Sequence, residues 1–160
     1  MPKQTKPRTA AKDALTLLKE DHDNVRELLS KLEESEGKSR SATLETIEHE
    51  LKVHTKIEED IFYPAFREAA EKDEDSKIYF EALEEHHVVD LVLPGIMETD
   101  PGADEFPAKA KVLKDLVEHH AEEEETQMFP RARRLMEKEQ LRELGQQLAD
   151  AKLSLMATKS

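Results

Sequence analysis

Two stretches of the chain repeat one pattern of residues that could bind a metal: His54, Glu58 and Pro64, then His120, Glu124 and Pro130. An α-helix turns about 100° per residue, so positions i and i+4 share a face, and each motif aims an imidazole and a carboxylate the same way. Neutral imidazole and carboxylate make a borderline-to-hard donor set. It suits iron, manganese or zinc and not copper(I), which prefers sulfur. Two lone histidines extend the pattern, His22 standing 32 residues before His54 and His86 34 before His120. The flanks Glu20-Asp21-His22 and Glu84-Glu85-His86 correspond, as do Leu28-Leu29 and Val92-Leu93, so the chain reads as one helical hairpin written twice.

The elements that position these residues follow from apolar spacing. Leu15, Leu18, His22, Val25, Leu29 and Leu32 recur at steps of three and four and predict a first amphipathic helix with His22 inside its buried stripe. Gly37 and the Ser-rich stretch 35–41 end it, and Ser41 or Thr43 is placed to cap the next. The second helix reads Leu44, Ile47, Leu51, His54, Glu58, Ile61, with Pro64 kinking or ending it. A third starts near Asp75 and reads Tyr79, Ala82, His86, Val89, Leu93, ending at Pro94-Gly95 or, kinked, near Met97. After the turn-rich loop 98–104, a fourth reads Leu113, Leu116, His120, Glu124, Met128. Leu135, Leu141, Leu144, Leu148 and Leu155 mark a structural C-terminal helix, weakly interrupted by Gly145.

These elements predict an all-α protein, an up-down antiparallel four-helix bundle with an additional C-terminal helix. The bundle spans 12–136 and the added helix 137–160, packed on it. Residues 1–11, with Lys3, Lys6 and Arg8 and no apolar face, read as a flexible basic tail. Composition agrees: 160 residues suffice for one core, and four Gly with 4% aromatics favour helix over sheet.

A net charge of -13 works against nucleic acid and anionic membranes as partners. The absence of Cys excludes disulfides, thiolate metal sites and thiol nucleophiles. No apolar run reaches the roughly 20 residues of a membrane span, and the first twelve residues lack the apolar stretch of a secretory signal, so the expected location is cytoplasmic.

Burying four imidazoles and two carboxylates without compensation costs several kcal/mol per polar group, against a net domain stability of roughly 5 to 15 kcal/mol. An ion-pair network would need Arg or Lys, which the stripes lack. Two divalent cations meet the need, with Glu58 and Glu124 bridging them and His22, His54, His86 and His120 in terminal positions.

The order His22, His54/Glu58, His86, His120/Glu124 resembles the hemerythrin-like family, the HHE cation-binding domain, over about residues 13 to 135. The resemblance implies a four-helix bundle around a non-haem di-iron centre, two Fe2+/Fe3+ ions bridged by carboxylates with an oxo, hydroxo or water ligand. It implies a protein that carries oxygen, responds to oxygen, nitric oxide or iron, or decomposes peroxide. Iron comes from the resemblance; the stripes give only the site. Two departures matter. Oxygen-carrying relatives place a second His four residues after the third-helix His, where this chain has Asp90, and they end on His-x4-Asp, where this chain has His120-x3-Glu124. Fewer imidazoles and more oxygen ligands favour a redox-reactive centre over a stable oxygen carrier. The expectation is therefore a protein reacting with oxygen, nitric oxide or hydrogen peroxide, with a catalase-like activity as its enzymatic form. The alternative is an iron or oxygen sensor without turnover. The expected partners are those small molecules, for a monomer or homodimer.

Other polar residues have lesser expected roles. Asp90 is a candidate extra ligand or hydrogen-bond partner of one, while Glu50 and Tyr79 are candidates for such hydrogen bonds or for plain packing. His87, with Leu83 and Leu91 four residues either side, rivals His86. His49, roughly 140° around the helix from His54, is expected on the exposed face. His119 stands one residue off its ligand neighbour, and Glu122, Glu123 and Glu125 read as a solvated face.

Overall fold

The computed structural model describes residues 12–158; the basic tail predicted for 1–11 lies outside the described residues. Every regular element among them is helical, and seven α-helices follow one another: α1 Ala14–Glu34, α2 Lys38–Ile57, α3 Tyr63–Ala69, α4 Asp73–Met97, α5 Phe106–Glu123, α6 Phe129–Leu135 and α7 Lys138–Ala157. Two π-helical turns, Glu58–Phe62 and Glu124–Met128, splice α2 to α3 and α5 to α6. The chain thus forms five rods: α1, 38–69, α4, 106–135 and α7.

α1 begins where the Asp13 carboxylate accepts the Thr16 amide at 2.8 Å, and it ends as Ser35 bonds back to the Leu32 carbonyl through amide and hydroxyl. α2 starts at Lys38, earlier than capping by Ser41 or Thr43 would allow. The reason is Gly37, whose φ of +59° reverses the chain in a conformation that other residues rarely adopt. α4 begins at Asp73, runs through Pro94 and ends at Met97. Asp75, buried, accepts the amides of Glu71 and Lys72 at 3.1 and 3.0 Å and pairs with Arg131 at 2.8 Å.

α1 packs on α2 and α5, and α4 packs on α5 and α2, which closes a four-membered ring. Two apolar clusters fill it. One holds Leu15, Leu18, Ile57, Phe62, Phe66, Ile78 and Phe129; the other holds Val25, Leu29, Ile47, Leu51, Val89, Leu93, Leu113 and Val117. α1 and α4 run from the first cluster to the second and α2 and α5 run back, the predicted up-down antiparallel order. Between the clusters each of the four helices of the ring contributes a buried histidine: His22, His54, His86 and His120.

α7 packs on α1, α2 and the first π-helical turn. Its role is more than the structural one expected, because Lys152 pairs with Asp21 beside the histidine layer. Gly145 makes the close approach of α7 to α1 feasible. A Cβ there would lie 2.1 Å from the Lys12 carbonyl oxygen and 2.9 Å from the Ala14 nitrogen. Both are backbone atoms that a rotamer change cannot move. Gly145→Ala should therefore destabilise the protein by about 1 to 3 kcal/mol in chemical denaturation, although alanine favours helix. Unchanged or increased stability would contradict this packing.

Candidate metal centre

The six residues expected as ligands meet in one layer. Their donor atoms fall into two groups, His22, His54, Glu58 and Glu124 in one and Glu58, His86, His120 and Glu124 in the other, with all atoms of a group within 4.8 Å of one another. Glu58 and Glu124 belong to both groups, and Glu58 has no exposure at all. Glu58 Oε1 lies 3.3 Å from His54 Nε2 and 3.0 Å from His86 Nε2. Glu124 Oε1 lies 3.0 Å from His22 Nε2, and Oε2 lies 3.5 Å from His120 Nε2.

Each imidazole turns Nε2 inward because a carboxylate holds Nδ1 from outside. Asp21 reaches His54 at 2.9 Å and Glu85 reaches His120 at 2.6 Å, each from the residue before the lone histidine of the same hairpin. Glu59 reaches His86 at 2.7 Å and Glu125 reaches His22 at 2.7 Å, each from the residue after the motif glutamate of the opposite hairpin. The repeat legible in the sequence thus recurs in the contacts. A carboxylate on Nδ1 fixes the tautomer and leaves Nε2 as the lone-pair donor a metal needs. Arg26, bonded to Glu125 at 2.9 Å, and Lys152, bonded to Asp21, brace two of the four carboxylates.

The π-helical turns explain what α-helical phase missed. Each begins at a motif glutamate, and the amides of Tyr63 and Phe129 bond to carbonyls five residues back, those of Glu58 and Glu124. In a continuous α-helix Tyr63 would lie about 140° around from Glu58; the wider turn brings both to one face. The prolines signalled a change of path. Since a proline ring crowds the carbonyl four residues back, widening the turn before Pro64 and Pro130 relieves that clash without breaking the rod. The buried residues there are Phe62, Tyr63 and Phe66, while Ile61 of the predicted stripe is half-buried.

Tyr63 is a residue of the layer that the sequence pattern leaves out. Its hydroxyl bonds to Glu124 Oε2 and lies 3.3 Å from Glu58 Oε1, 3.2 Å from His86 Nε2 and 3.4 Å from His120 Nε2. Phe129 stands at the corresponding place of the second hairpin and stacks on His22, with centroids 6.0 Å apart, as Tyr63 stacks on His86 at 5.2 Å. The one hydroxyl makes the two halves chemically unequal.

Four lesser candidates stand elsewhere. Asp90 is exposed on α4 and lines a surface groove with Lys52 and Lys56. Val89, buried three residues after His86, takes the inward position one turn further along α4, and Asp90 beside it turns to the surface. His87 is also exposed, about 100° from His86, which is the histidine that faces inward. Glu50 bonds Asn24 at 3.1 Å near the surface of α1 and α2. Tyr79 is half-buried and packs edge-on to Tyr63 at 6.3 Å under the Arg67 guanidinium, contributing its ring and not a bond to a histidine. Two further expectations change: His49 is half-buried, and Glu125 belongs to the site instead of a solvated face.

The layer has the marks of a metal site. His22 Nε2, His54 Nε2, Glu58 Oε2 and Glu124 Oε1 are buried without a hydrogen-bond partner, although His22 and Glu124 approach to 3.0 Å. Donors close together yet out of line for bonding to each other are aimed at shared points between them. Without a cation, protons must do the neutralising. Burial pushes the His54 imidazole down, but the Glu58 charge and the hydrogen bonds of Asp21 and Glu58 outweigh it and hold it at about 10. Burial opposes ionisation of Glu58 too, and the surrounding imidazoles still hold its carboxyl well below the usual range. Glu125, against burial, is held at about 2 by His22 and Arg26. Burial, then the charges of Glu124 and Glu58, push the Tyr63 hydroxyl well above its usual range, so it keeps its proton.

Fold and site together define a helical bundle built around a buried histidine and glutamate layer. The chain belongs to the hemerythrin family: the model of the hemerythrin HHE cation binding domain matches residues 13–132. The crystal structure of a hemerythrin HHE cation binding domain-containing protein from Mycobacterium kansasii superposes with a TM-score of 0.82 at 27% identity, covering 92% of this chain and 89% of that one. A curated relative, named DNA nickase, from Nostoc sp., is 26% identical over 137 residues, 85% of this chain. The chain spans 38% of the length of that relative. No helix among the described residues is long and apolar enough to cross a membrane.

The proton load gives the metal-free protein a defined pH profile. His54, raised from 6.5 to about 10, contributes stability that is present below pH 6.5 and lost as pH rises through 10. Glu125, lowered from 4.5 to about 2, contributes stability present above pH 4.5 and lost as pH falls through 2. The Tm of metal-free protein should therefore peak between pH 4.5 and 6.5 and decline toward 10. A divalent cation replaces those protons, so the loaded protein should lose the alkaline decline. Equal decline with and without metal would contradict the assignment.

Proposed function

We propose that this protein is a non-haem di-iron protein whose centre reacts with oxygen, nitric oxide or hydrogen peroxide, with peroxide decomposition favoured over reversible oxygen carriage. The observation that carries the reading is the pair of donor groups sharing Glu58 and Glu124. Each group offers two imidazoles and two carboxylates, oxygen-rich and without sulfur, a set that suits iron and its ferric state. His22 and His54 would hold one ion, His86 and His120 the other, and both glutamates would span the pair. Bound there, two irons supply the electrons for redox chemistry of a small oxidant.

The rest of the chemistry belongs to the chain. Against the histidine layer lies a cavity of about 30 Å³ whose other walls include Val25, Leu51, Val89, Val117 and Ala121. A volume of that order admits one or two molecules the size of water, and its apolar walls favour a small neutral molecule over a hydrated ion. The valines and Leu51 keep bulk water from the site. Tyr63, protonated and hydrogen-bonded to Glu124, holds a proton on the His86 and His120 side that an oxygen leaving group can take, and Phe129 offers none at the other. The outer carboxylates keep Nδ1 of each imidazole protonated. The name of the Nostoc relative belongs to a protein of which this chain spans 38%, and the net charge of -13 works against holding a nucleic acid backbone.

An anaerobic ferrous titration followed by separate additions of oxygen and peroxide, read by absorbance, tests the reading. Two iron equivalents should bind, oxygen should oxidise them without a long-lived oxygenated form, and peroxide should be consumed. Glu58→Ala or Glu124→Ala should lose most of both irons, while Asp90→Ala and His87→Ala keep them. Tyr63→Phe, which copies Phe129, should keep both irons and slow peroxide consumption by about 10²-fold, the usual worth of a positioned proton donor. Reversible colour over repeated oxygen and vacuum cycles would argue for a carrier, and a fully loaded protein that leaves peroxide untouched would remove the enzymatic form.

A further inference from the structure

The four carboxylates that hold the imidazoles from outside are alike in their hydrogen bonds and unlike in the cations beside them. Asp21 takes His54 Nδ1 on Oδ2 and Lys152 on Oδ1. Glu125 takes His22 Nδ1 at 2.7 Å and Arg26 at 2.9 Å on Oε2, with a second Arg26 bond of 3.2 Å to Oε1. Both cations serve the His22 and His54 half. Glu59 and Glu85, which hold His86 and His120, form no salt bridge with Lys or Arg among the described residues. Lys52 and Lys56 line the same groove as Glu59, but Lys52 pairs with Glu48 at 3.1 Å and Lys56 with Asp60 at 2.8 Å. Glu85 shares its hollow with Glu81, Glu84 and Glu123 against Lys77.

Burial sharpens the difference. The Asp21 side chain is 6% exposed and that of Glu125 17%, against 24% for Glu85 and 39% for Glu59. A cation on a sheltered carboxylate is screened least by water and salt. An imidazole whose Nδ1–H donates to a carboxylate becomes a stronger donor at Nε2, and strong donation stabilises the more highly charged metal ion. A cation on that carboxylate draws the electron density back. Arg26 divides its charge, pairing also with Glu118 and Asp23, whereas Lys152 pairs with Asp21 alone among the described residues. Lys152 belongs to α7, beyond the residues 13–132 that the family model matches, so the added helix delivers a charge to one side of the layer.

We propose that Lys152 and Arg26 are positioning residues that make the two metal positions unequal in potential, so that an iron held by His22 and His54 stays ferrous longer than one held by His86 and His120. The proposal rests on the reading of the layer as a di-iron centre. Each iron gives one electron to the oxidant, passing from ferrous to ferric. The first electron then comes from the half that carries the Tyr63 hydroxyl, within 3.4 Å of His86 Nε2 and His120 Nε2.

The test uses the iron-loaded full chain as wild type, as Lys152→Met, which keeps the aliphatic stem, and as Lys152→Arg, which keeps the charge. Anaerobic potentiometric titration with mediators gives the two one-electron midpoints, and electron paramagnetic resonance of the half-oxidised protein gives the mixed-valence fraction. Wild type should show two separated steps. Lys152→Met should lower the upper midpoint by about 59 mV, a tenfold change in that one-electron equilibrium, which is the order expected for a unit charge at a partly buried site. The lower midpoint should move less, the mixed-valence fraction should fall, and Lys152→Arg should match wild type. Arg26→Met should move the upper midpoint the same way, which keeps the test decisive if Lys152→Met does not fold. Unmoved midpoints, equal shifts of both, or a larger shift of the lower one overturn the proposal, as does a Lys152→Arg protein that behaves like Lys152→Met. Two irons that oxidise in one unresolved step in wild type also overturn it. If wild type binds fewer than two irons, the di-iron reading fails and this proposal falls with it.

Discussion

Two carboxylates share one dry layer, and the rest of the structure answers to that constraint. Glu58 and Glu124 are almost wholly buried, and each raises the cost of ionising the other. Four imidazoles surround them, and four outer carboxylates hold those imidazoles with Nε2 inward. The apolar clusters above and below exclude water, which makes every charge in the layer more expensive to leave unpaired. A removable cation solves the problem in a way that protons solve only partly, because protons on Nε2 occupy the lone pairs the geometry directs at shared points.

The duplication supplies this arrangement, and its imperfections supply the chemistry. Each hairpin orients one of its own imidazoles through the residue before its lone histidine and one of its neighbour's through the residue after its motif glutamate. Neither hairpin can build a complete half alone. Two departures from symmetry stand out: Tyr63 against Phe129 places a single hydroxyl in the layer, and α7, which has no counterpart in the second hairpin, braces the Asp21 side through Lys152. In the proposed centre, a symmetric scaffold with one asymmetric hydroxyl would distinguish two otherwise like donor groups.

Much of this was legible in the residues. Apolar steps of three and four placed the four helices of the ring and put His22, His54, His86 and His120 on inward faces, and the His-x-x-x-Glu spacing brought Glu58 and Glu124 with them. What failed did so where helical phase changed or where a contact crossed between helices. Tyr63 was hidden because the π-helical turn rotates it onto the face of Glu58, which α-helical arithmetic does not show. Glu59, Glu125, Asp21 and Glu85 each sit one residue from a donor, and on one helix alone such a residue reads as solvated. Only the neighbouring helix shows that it meets an imidazole. The correspondence of Asp21 with Glu85 across the repeat was the one available signal for their shared role. Gly145 looked like a weak helix position, yet its use lies in letting α7 cross the Lys12 backbone closely.

The account stands on two cations sharing two glutamates. A crystal structure of the iron-loaded protein with anomalous scattering measured at the iron edge tests it most directly. The account predicts two peaks roughly 3.5 to 4 Å apart, one against His22 and His54 and the other against His86 and His120, with Glu58 and Glu124 touching both. A single peak in the layer at saturating iron, or two peaks too far apart for one carboxylate to span, would contradict it.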